Sequence, residues 1–426
     1  MTGALITIIL LLGLLALGVP MIAALMTAVM VSFIFAGQWL LIVPQSMVSG
    51  MSTFTLIALP MFVLAGVTMN AGGISGRLFE FARALVGWLK GGLAHVNVLT
   101  SMFFGGMIGS STADLAGSGS ILIPAMKKEG YSAEISAAVS ASSSGVGPLI
   151  PPSSPMILYS AVTGVSLGTL FLAGLIPGIL LGGAFMLLVA FLAHRKGWRK
   201  HGSFSLREIW RSGLRASLAF GMPAIIIGGL VLGVFTPSEG GAFGAVYAIV
   251  ISVFVYRTLG LRDLYRVLVS AVQTTGELLL IVSLSFAFGA SLSSAHVPQM
   301  LASMIDVLTI GDGMYMKLLA LMVLAIIAGM FLDPLIPVLV PVILPTLVAF
   351  NVDLVHFGTL MVMAVIIGQL TPPMAIALII TSRIAEVDQI KILRANMPFF
   401  VLIILFTLLL MAVPGLATWL PTVAMN

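Results

Sequence analysis

The sequence contains no cysteine. That removes thiol catalysis, thiolate-held metal and disulfide frameworks. Charge is scarce as well. Lys, Arg, Asp and Glu make up 8% of the 426 residues, against roughly 25% in an ordinary soluble domain. A soluble chain of this length could not cover its surface with so few charges. None of the five histidines pairs with another ligand at metal-binding spacing, so a metalloenzyme centre has no support. A Walker-type phosphate loop is absent, which argues against ATP hydrolysis. No acid and base sit together in a hydrolase-like loop, and no enzymatic activity or cofactor is expected. The 45 glycines follow no period, which excludes collagen. What is abundant is apolar surface: 60% of residues are hydrophobic and mean hydropathy is +1.20. An all-α polytopic membrane protein remains.

The first charged residue is Arg77. Further uncharged runs cover 135–194, 216–238, 240–256, 278–305, 354–382 and 395–426. Most hold a stretch that can cross a hydrocarbon core of about 30 Å. A cleaved signal peptide is not expected, because residues 1–20 have no basic region. Periodicity and breakers predict helices over 4–17, 21–35, 38–49, 54–69, 74–90, 96–109, 113–127, 135–160, 167–193, 214–232, 241–255, 261–269, 276–291, 317–330, 335–350, 354–367, 373–381 and 399–411. The segments at 74–90 and 261–269 read as interfacial and amphipathic. In all, about ten spans and two pairs of half-helices are expected.

Basic residues are clustered. Arg195, Lys196, Arg199, Lys200, Arg207, Arg211 and Arg215 hold seven of the 19 Lys and Arg in one loop. The positive-inside rule makes that loop cytoplasmic, and Arg257, Arg262 and Arg266 with it. The cations and the net charge of +5 read as topology and contact with membrane lipid, not as a nucleic-acid surface.

Two segments align without gaps at an offset of 221 residues. Pro124 in ILIP falls on Pro345 in VILP, and Pro151 and Pro152 in GVGPLIPPSSP fall on Pro372 and Pro373 in GQLTPP. Each copy has a short helix, a break, a second short helix and a proline-interrupted helix. Their charges do not match. Lys127 and Lys128 fall on Val348 and Ala349, and the segment with Arg77, Arg83 and Lys90 falls on 289–311, which holds only Asp306. Loops that are basic in one copy and bare in the other are expected of inverted repeats, the mark of a secondary transporter.

Broken helices expose backbone groups that are costly in a membrane unless something binds them. GSSTADLAGSGS, residues 109–120, offers Ser110, Ser111 and Thr112 hydroxyls beside Asp114. SASSSGVGPLIPPSSP follows at 140–155, and GMFLDP with Asp333 and GQLTPP with Gln369 and Thr371 form the second copy. Carbonyl and hydroxyl oxygens suit a hard cation such as sodium, while half-helix N-termini suit an anion. Asp114 and Asp333 admit two readings, as caps of the second half-helices or as members of an ion or substrate site. Glu239 in FTPSEGGAFGAVYA, 235–248, reads as a helix cap with Thr236 or Ser238, or as an inter-helix lock. His95 and Glu277 read as interfacial.

Together GGMIGSSTADLAGSGSILIPAMKKEGY, GVGPLIPPSSPMILY, FTPSEGGAFGAVYA, GMFLDP and GQLTPP resemble the large membrane subunit of TRAP transporters, the DctM-type permeases, over essentially the whole chain. The TPSEGG block departs modestly from the family's usual pattern: Ser238 keeps a hydroxyl and Gly240 replaces a small alanine. The resemblance implies an elevator-type carrier with two re-entrant helical hairpins and discontinuous helices. It implies a bacterial inner-membrane protein that takes up an organic acid anion, such as a C4-dicarboxylate or sialic acid, driven by sodium. Its partners would be a small four-helix membrane subunit, expected not to be fused ahead of this chain, and a periplasmic substrate-binding protein.

Carried onto this sequence, the sodium ligands would come from Ser110, Ser111, Asp114, Ser144, Gly145 and Gly147, and from Gly329, Asp333, Gly368 and Thr371. The substrate pocket would use Ser110, Thr112, Ser153, Gln369 and Pro372. Pro124, Pro151, Pro152, Glu239, Pro345 and Pro373 would be structural. The first repeat would cover 1–194 with hairpin 1 near 93–131, a cytoplasmic loop 195–215, and the second repeat 216–394 with hairpin 2 near 315–353. A last transmembrane helix would lie in 395–426. The alternatives are a stand-alone sodium–dicarboxylate carrier and, from another class, a channel or membrane scaffold.

Overall fold

A computed structural model describes residues 2–198, 200, 202–308 and 313–425. Arg199 of the basic loop, residues 309–311 of the segment compared with Arg77 to Lys90, and the first and last residues fall outside these. The first half runs α1 (Thr2–Ala16), α2 (Met21–Phe35), α3 (Ile42–Met51), α4 (Ala58–Ala71) and α5 (Ile74–Val86). Next comes a hairpin: α6 (Gly92–Ile108), a tight turn, α7 (Ser111–Asp114), one π-helical turn (Leu115–Gly119) and α8 (Ser120–Lys128). α9 (Ala133–Ser144) and α10 (Ser154–Thr163) are two pieces of a broken helix, and α11 (Leu167–Arg195) closes the half.

The second half runs α12 (Leu206–Val231), α13 (Pro237–Val250), α14 (Leu261–Ser294) and α15 (Val297–Leu308). A second hairpin follows, α16 (Met314–Gly329) and α17 (Leu335–Ala349), then a second broken helix, α18 (Leu354–Gln369) and α19 (Ile376–Ala385). α20 (Gln389–Ala412) and α21 (Gly415–Ala424) end the chain.

Among the described residues six helices are long and apolar enough to cross a membrane: Phe54–Ala71, Leu167–Arg195, Leu206–Val231, Pro237–Val255, Leu261–Ser294 and Gln389–Ala412. The expected ten are too many, because glycine and proline stop the other apolar helices at 10–17 residues. The separate helices expected at 261–269 and 276–291 are one helix of 34 residues, α14. Its polar middle, Gln273 to Glu277, contains no proline, and polarity alone does not stop a helix. Of the segment 195–215 read as a loop, residues from Leu206 are helical, because Ser205 caps α12 by accepting from Glu208 N at 3.3 Å. Asp388 likewise starts α20 at Gln389 rather than 399, accepting from Ile390 N at 2.8 Å. The sequence pattern does not predict α15 or α21.

The repeat reaches further than its prolines. Moved by 221 residues, α6 falls on 313–329, where α16 lies, and 111–128 falls on 332–349, where α17 lies. α10 falls on α19, and α5 falls on α15. The halves interlock: α11 packs on α18, α20 on α9, α10 on α17 and α19 on α8. Helices α9 and α18 are buried almost end to end, so the broken helices form the centre of the molecule. Around α9 the buried polar side chains satisfy one another. Asn97 Nδ2 donates to Ser140 Oγ at 2.6 Å, Ser143 Oγ donates to Asn97 Oδ1 at 3.1 Å, and Ser142 bonds Asn396. His95 is buried in the first turn of α6, its ring 3.2 Å from Gly91 O.

Candidate functional site

Each hairpin tip is tied to the broken helix of its own repeat. Gly109 turns the first tip with φ +58, and a Cβ there would meet Pro152 O at 1.9 Å. Only glycine fits such a conformation and approach. Ser154 N donates to Gly109 O at 3.4 Å, and in the second copy Met374 N donates to Met330 O at 3.3 Å. Moved by 221, Gly109 falls on Met330, so the acceptors correspond, while the donors are one residue out of register (Ser154 falls on Ala375). Gly368 lies so close to Gly329 that a Cβ would meet Gly329 O at 2.4 Å. The helices therefore cross backbone to backbone.

Both tips open onto one cavity of about 540 Å³. Ser110, Ser111, Thr112 and Ala113 face it from the first hairpin, and Asp333, Pro334, Leu335 and Ile336 from the second. Pro148 and Ser154 reach it from the first break and Gln369 from the second. Helix starts are therefore concentrated here: the run beginning at Ser111, α10 and α17 all present their first residues. Such ends carry a positive partial charge and amides without a partner in the helix, although at α10 Ser154 N and Met156 N are already bonded to Gly109 O and Ser153 Oγ and Pro155 has no amide hydrogen. Ser110 is a cap, accepting from Ala113 N at 3.5 Å and sharing a hydrogen bond with Thr112 Oγ1 at 3.1 Å. The Gln369 side chain lies beside the Asp333 carboxylate. α4 and α14 line it as well, with Phe62, Gly66, Thr274 and Glu277.

Other expected residues lie nearby but do not line the cavity. Asp114 is buried behind the first tip. Ser118 Oγ donates to its Oδ1 at 2.5 Å, and Oδ2 has no partner among the described residues. Neither acid is the helix cap: that position belongs to Ser110 in the first hairpin and Pro334 in the second. Ser144 Oγ donates to Ala141 O at 2.9 Å, and Gly145 and Gly147 are buried at the break. Ser153 caps α10 and donates to Pro148 O at 2.5 Å. Thr371 Oγ1 donates to Ile367 O at 2.6 Å, and Pro372 and Pro373 are exposed. Pro151 and Pro152 are buried under the first tip, and Pro124 and Pro345 lie inside α8 and α17. Glu239 forms a capping box: its Oε2 accepts from Thr236 N at 2.8 Å, and its N donates to Thr236 Oγ1 at 3.4 Å. Among the described residues no group of three His, Cys, Asp or Glu can hold a metal ion.

Sequence reasoning misses the α4 and α14 wall. Glu277, read as interfacial at a helix start, stands midway along α14. The signal that could have found it is a lone acid with no charged neighbour within ten residues on either side.

The profile of the family described as "Tripartite ATP-independent periplasmic transporter, DctM component" matches residues 8–416. The chain belongs to the DctM family of TRAP transporters. It is 38% identical over 379 residues to the sialic acid TRAP transporter large permease protein SiaM of Vibrio cholerae, covering 88% of each chain. With the C4-dicarboxylate TRAP transporter large permease protein DctM of the same organism, identity is 33% over 442 residues, covering 98% of this chain and 97% of that one. The crystal structure of the Alcanivorax borkumensis YdaH transporter superposes with a TM-score of 0.58 at 17% identity, covering 87% of both chains. That likeness is one of fold. A DctM-type permease is a carrier of the bacterial inner membrane and not an enzyme. Its apolar helices and its two broken helices meet that description.

Proposed function

We propose that this chain is the large permease subunit of a sodium-driven uptake system for an organic acid. The observation that carries the reading is the single cavity onto which both hairpin tips open. Helix starts supply amides and positive partial charge for a carboxylate. The breaks supply carbonyl and hydroxyl oxygens for sodium, which travels as cargo rather than as a resident metal. One ion would lie among Ser110, Ser111, Asp114 and the 144–147 break, and the second among Gly329, Asp333, Gly368 and Thr371. Thr112 and Gln369 would touch the solute between them. The relatives named for sialic acid and C4-dicarboxylates support a carboxylate-bearing solute.

In this reading the hairpins and broken helices move together against a frame of α1–α5 and α12–α15, and the two repeats are inverted in the membrane. A small four-helix membrane subunit and a periplasmic binding protein complete the system, and the binding protein does much of the solute selection. The test is uptake into proteoliposomes holding the permease and its small subunit, with binding protein outside. Uptake is expected to need both an inward sodium gradient and the binding protein. Undiminished uptake with potassium in place of sodium, or without the binding protein, contradicts the proposal.

A further inference from the structure

A second cavity, of about 620 Å³, lies where α5 packs on α12. Glu80 and Arg83 of α5 line it, with Trp88 just beyond that helix, and so do Glu208, Arg211 and Arg215 of α12. On each helix these charges recur three or four residues apart, so they share one face. The two helices run antiparallel. Trp88 meets Phe204 edge-on with ring centroids 5.5 Å apart, the Phe81 ring lies 3.2 Å from where a Gly213 Cβ would stand, and Glu80 pairs with Arg215 at 3.7 Å. That register brings Arg83 level with Arg211. Both are exposed, and neither is in an ion pair among the described residues. Two guanidinium groups on one cleft repel each other unless an anion lies between them, and phosphate is the anion their planar forks fit best. Glu208, one turn nearer the start of α12, is in no ion pair among the described residues either.

With Glu129 the lining holds three arginines and three glutamates, so its formal charge is zero. Lys200 stands over the Trp88 ring at 5.4 Å, outside the lining. A headgroup with one phosphate and one ammonium balances such a cavity; a purely anionic one leaves Glu208 without a cation. The membrane sets the direction. Residues 216–238, just past Arg215, carry no charge. Leu206, Trp210 and Leu214 recur every four residues and are exposed, an apolar stripe beside the charged face. Tryptophan at positions 88 and 210 suits the headgroup level of a bilayer. From its start α12 therefore offers an acid, an arginine and then apolar surface, the order of ammonium, phosphate and acyl chain in an ethanolamine phospholipid. Glu208 and Arg211 are about 4.5 Å apart along the axis at 1.5 Å per residue, a span that the two-carbon link of that headgroup covers.

We propose that this cavity holds the headgroup of an ethanolamine phospholipid, its phosphate between Arg83 and Arg211 and its ammonium at Glu208. It shares no residue with the cavity at the hairpin tips and stands apart from the reading of that cavity. Native mass spectrometry of the full-length chain in detergent tests it, titrating palmitoyl-oleoyl phosphatidylethanolamine, phosphatidylglycerol and phosphatidylcholine. Glycerophosphoethanolamine supplies the same headgroup without acyl chains. The wild-type chain is expected to bind its first phosphatidylethanolamine at least about threefold more tightly than the other two lipids, and at least about tenfold more tightly than glycerophosphoethanolamine. Arg83→Gln and Arg211→Gln should each weaken phosphatidylethanolamine about three- to tenfold. Glu208→Gln should abolish its advantage over phosphatidylglycerol without weakening phosphatidylglycerol. Arg262→Gln, at the start of α14 and outside the cavity, should bind as wild type does.

Size-exclusion profiles and melting temperatures equal to wild type establish that each variant is folded, and either arginine variant alone suffices if the other misfolds. Equal affinity for the three lipids overturns the proposal, as does phosphatidylethanolamine affinity unchanged in the folded arginine variants. Preference for phosphatidylglycerol marks a site for anionic lipid and overturns it too. Glycerophosphoethanolamine bound as tightly as the whole lipid marks a site for a soluble phosphodiester, with the same result. An equal loss in Arg262→Gln shows a general effect of charge rather than this cavity, and also overturns it.

Discussion

Gly368 leaves no room for a side chain, because its missing Cβ would lie against the carbonyl oxygen of Gly329 and not against a side chain that could move. Gly368→Ala should therefore force α16 and α18 apart, a strain of about 1–3 kcal/mol, read as a lower melting temperature. Gly183→Ala is the control, since nothing lies within 4 Å of its Cβ position, and it should melt as wild type does. Asp333→Ala is expected to depress uptake at limiting sodium far more than it depresses expression. Normal uptake at limiting sodium would remove Asp333 from the ion site. At this scale the sequence marks polar atoms where they interrupt apolar stretches, which is why Ser110, Thr112, Asp333 and Gln369 stand out in it. It hides Phe62 and Gly66, whose neighbours are equally apolar. Glu277 is misplaced by sequence reasoning because the polar run before it resembles a helix start.

Among the elements, α13 depends on its first turn. The Thr236 and Glu239 side chains satisfy each other's backbone amides, so Thr236→Ala should cost about 1 kcal/mol, measurable as a fall in melting temperature. Lys127 couples the two repeats: its Nζ donates to Ala385 O at 3.0 Å, at the C-terminus of α19. A cation there complements the helix dipole, and Lys127→Met is expected to lower stability by about 0.3–1 kcal/mol. An unchanged melting temperature in Lys127→Met would show that this bond contributes nothing. Helices bounded by proline or by a glycine turn are legible to within a few residues, as with α2, α11 and α17. The ends of α12 and α20 are not, because single Ser and Asp caps extend them into charged sequence that reads as loop. α14 reads as two helices because its polar stretch resembles a surface, when Thr274 and Glu277 of that stretch line the cavity.

For the molecule as a whole, three prolines at a common offset are enough to reveal a duplication that extends from α5 and α15 to α10 and α19. The sequence does not carry the interlocking of α11 with α18 and α20 with α9, since those contacts join residues far apart in the chain. Nor does it reveal which loops come together at one cavity. Charge asymmetry between the copies is the observation behind the inverted arrangement, in which hairpins entering from opposite faces meet at a shared site. That claim has a direct measurement, helped by the absence of native cysteine. Lys128 and Ala349 occupy matching positions in the two copies, and both are exposed. Lys128→Cys and Ala349→Cys, each as the only thiol, can be labelled in sealed right-side-out vesicles with a membrane-impermeant maleimide. The account predicts that Ala349→Cys reacts from outside and Lys128→Cys only after the vesicles are opened. Reaction of both from the same side would contradict it.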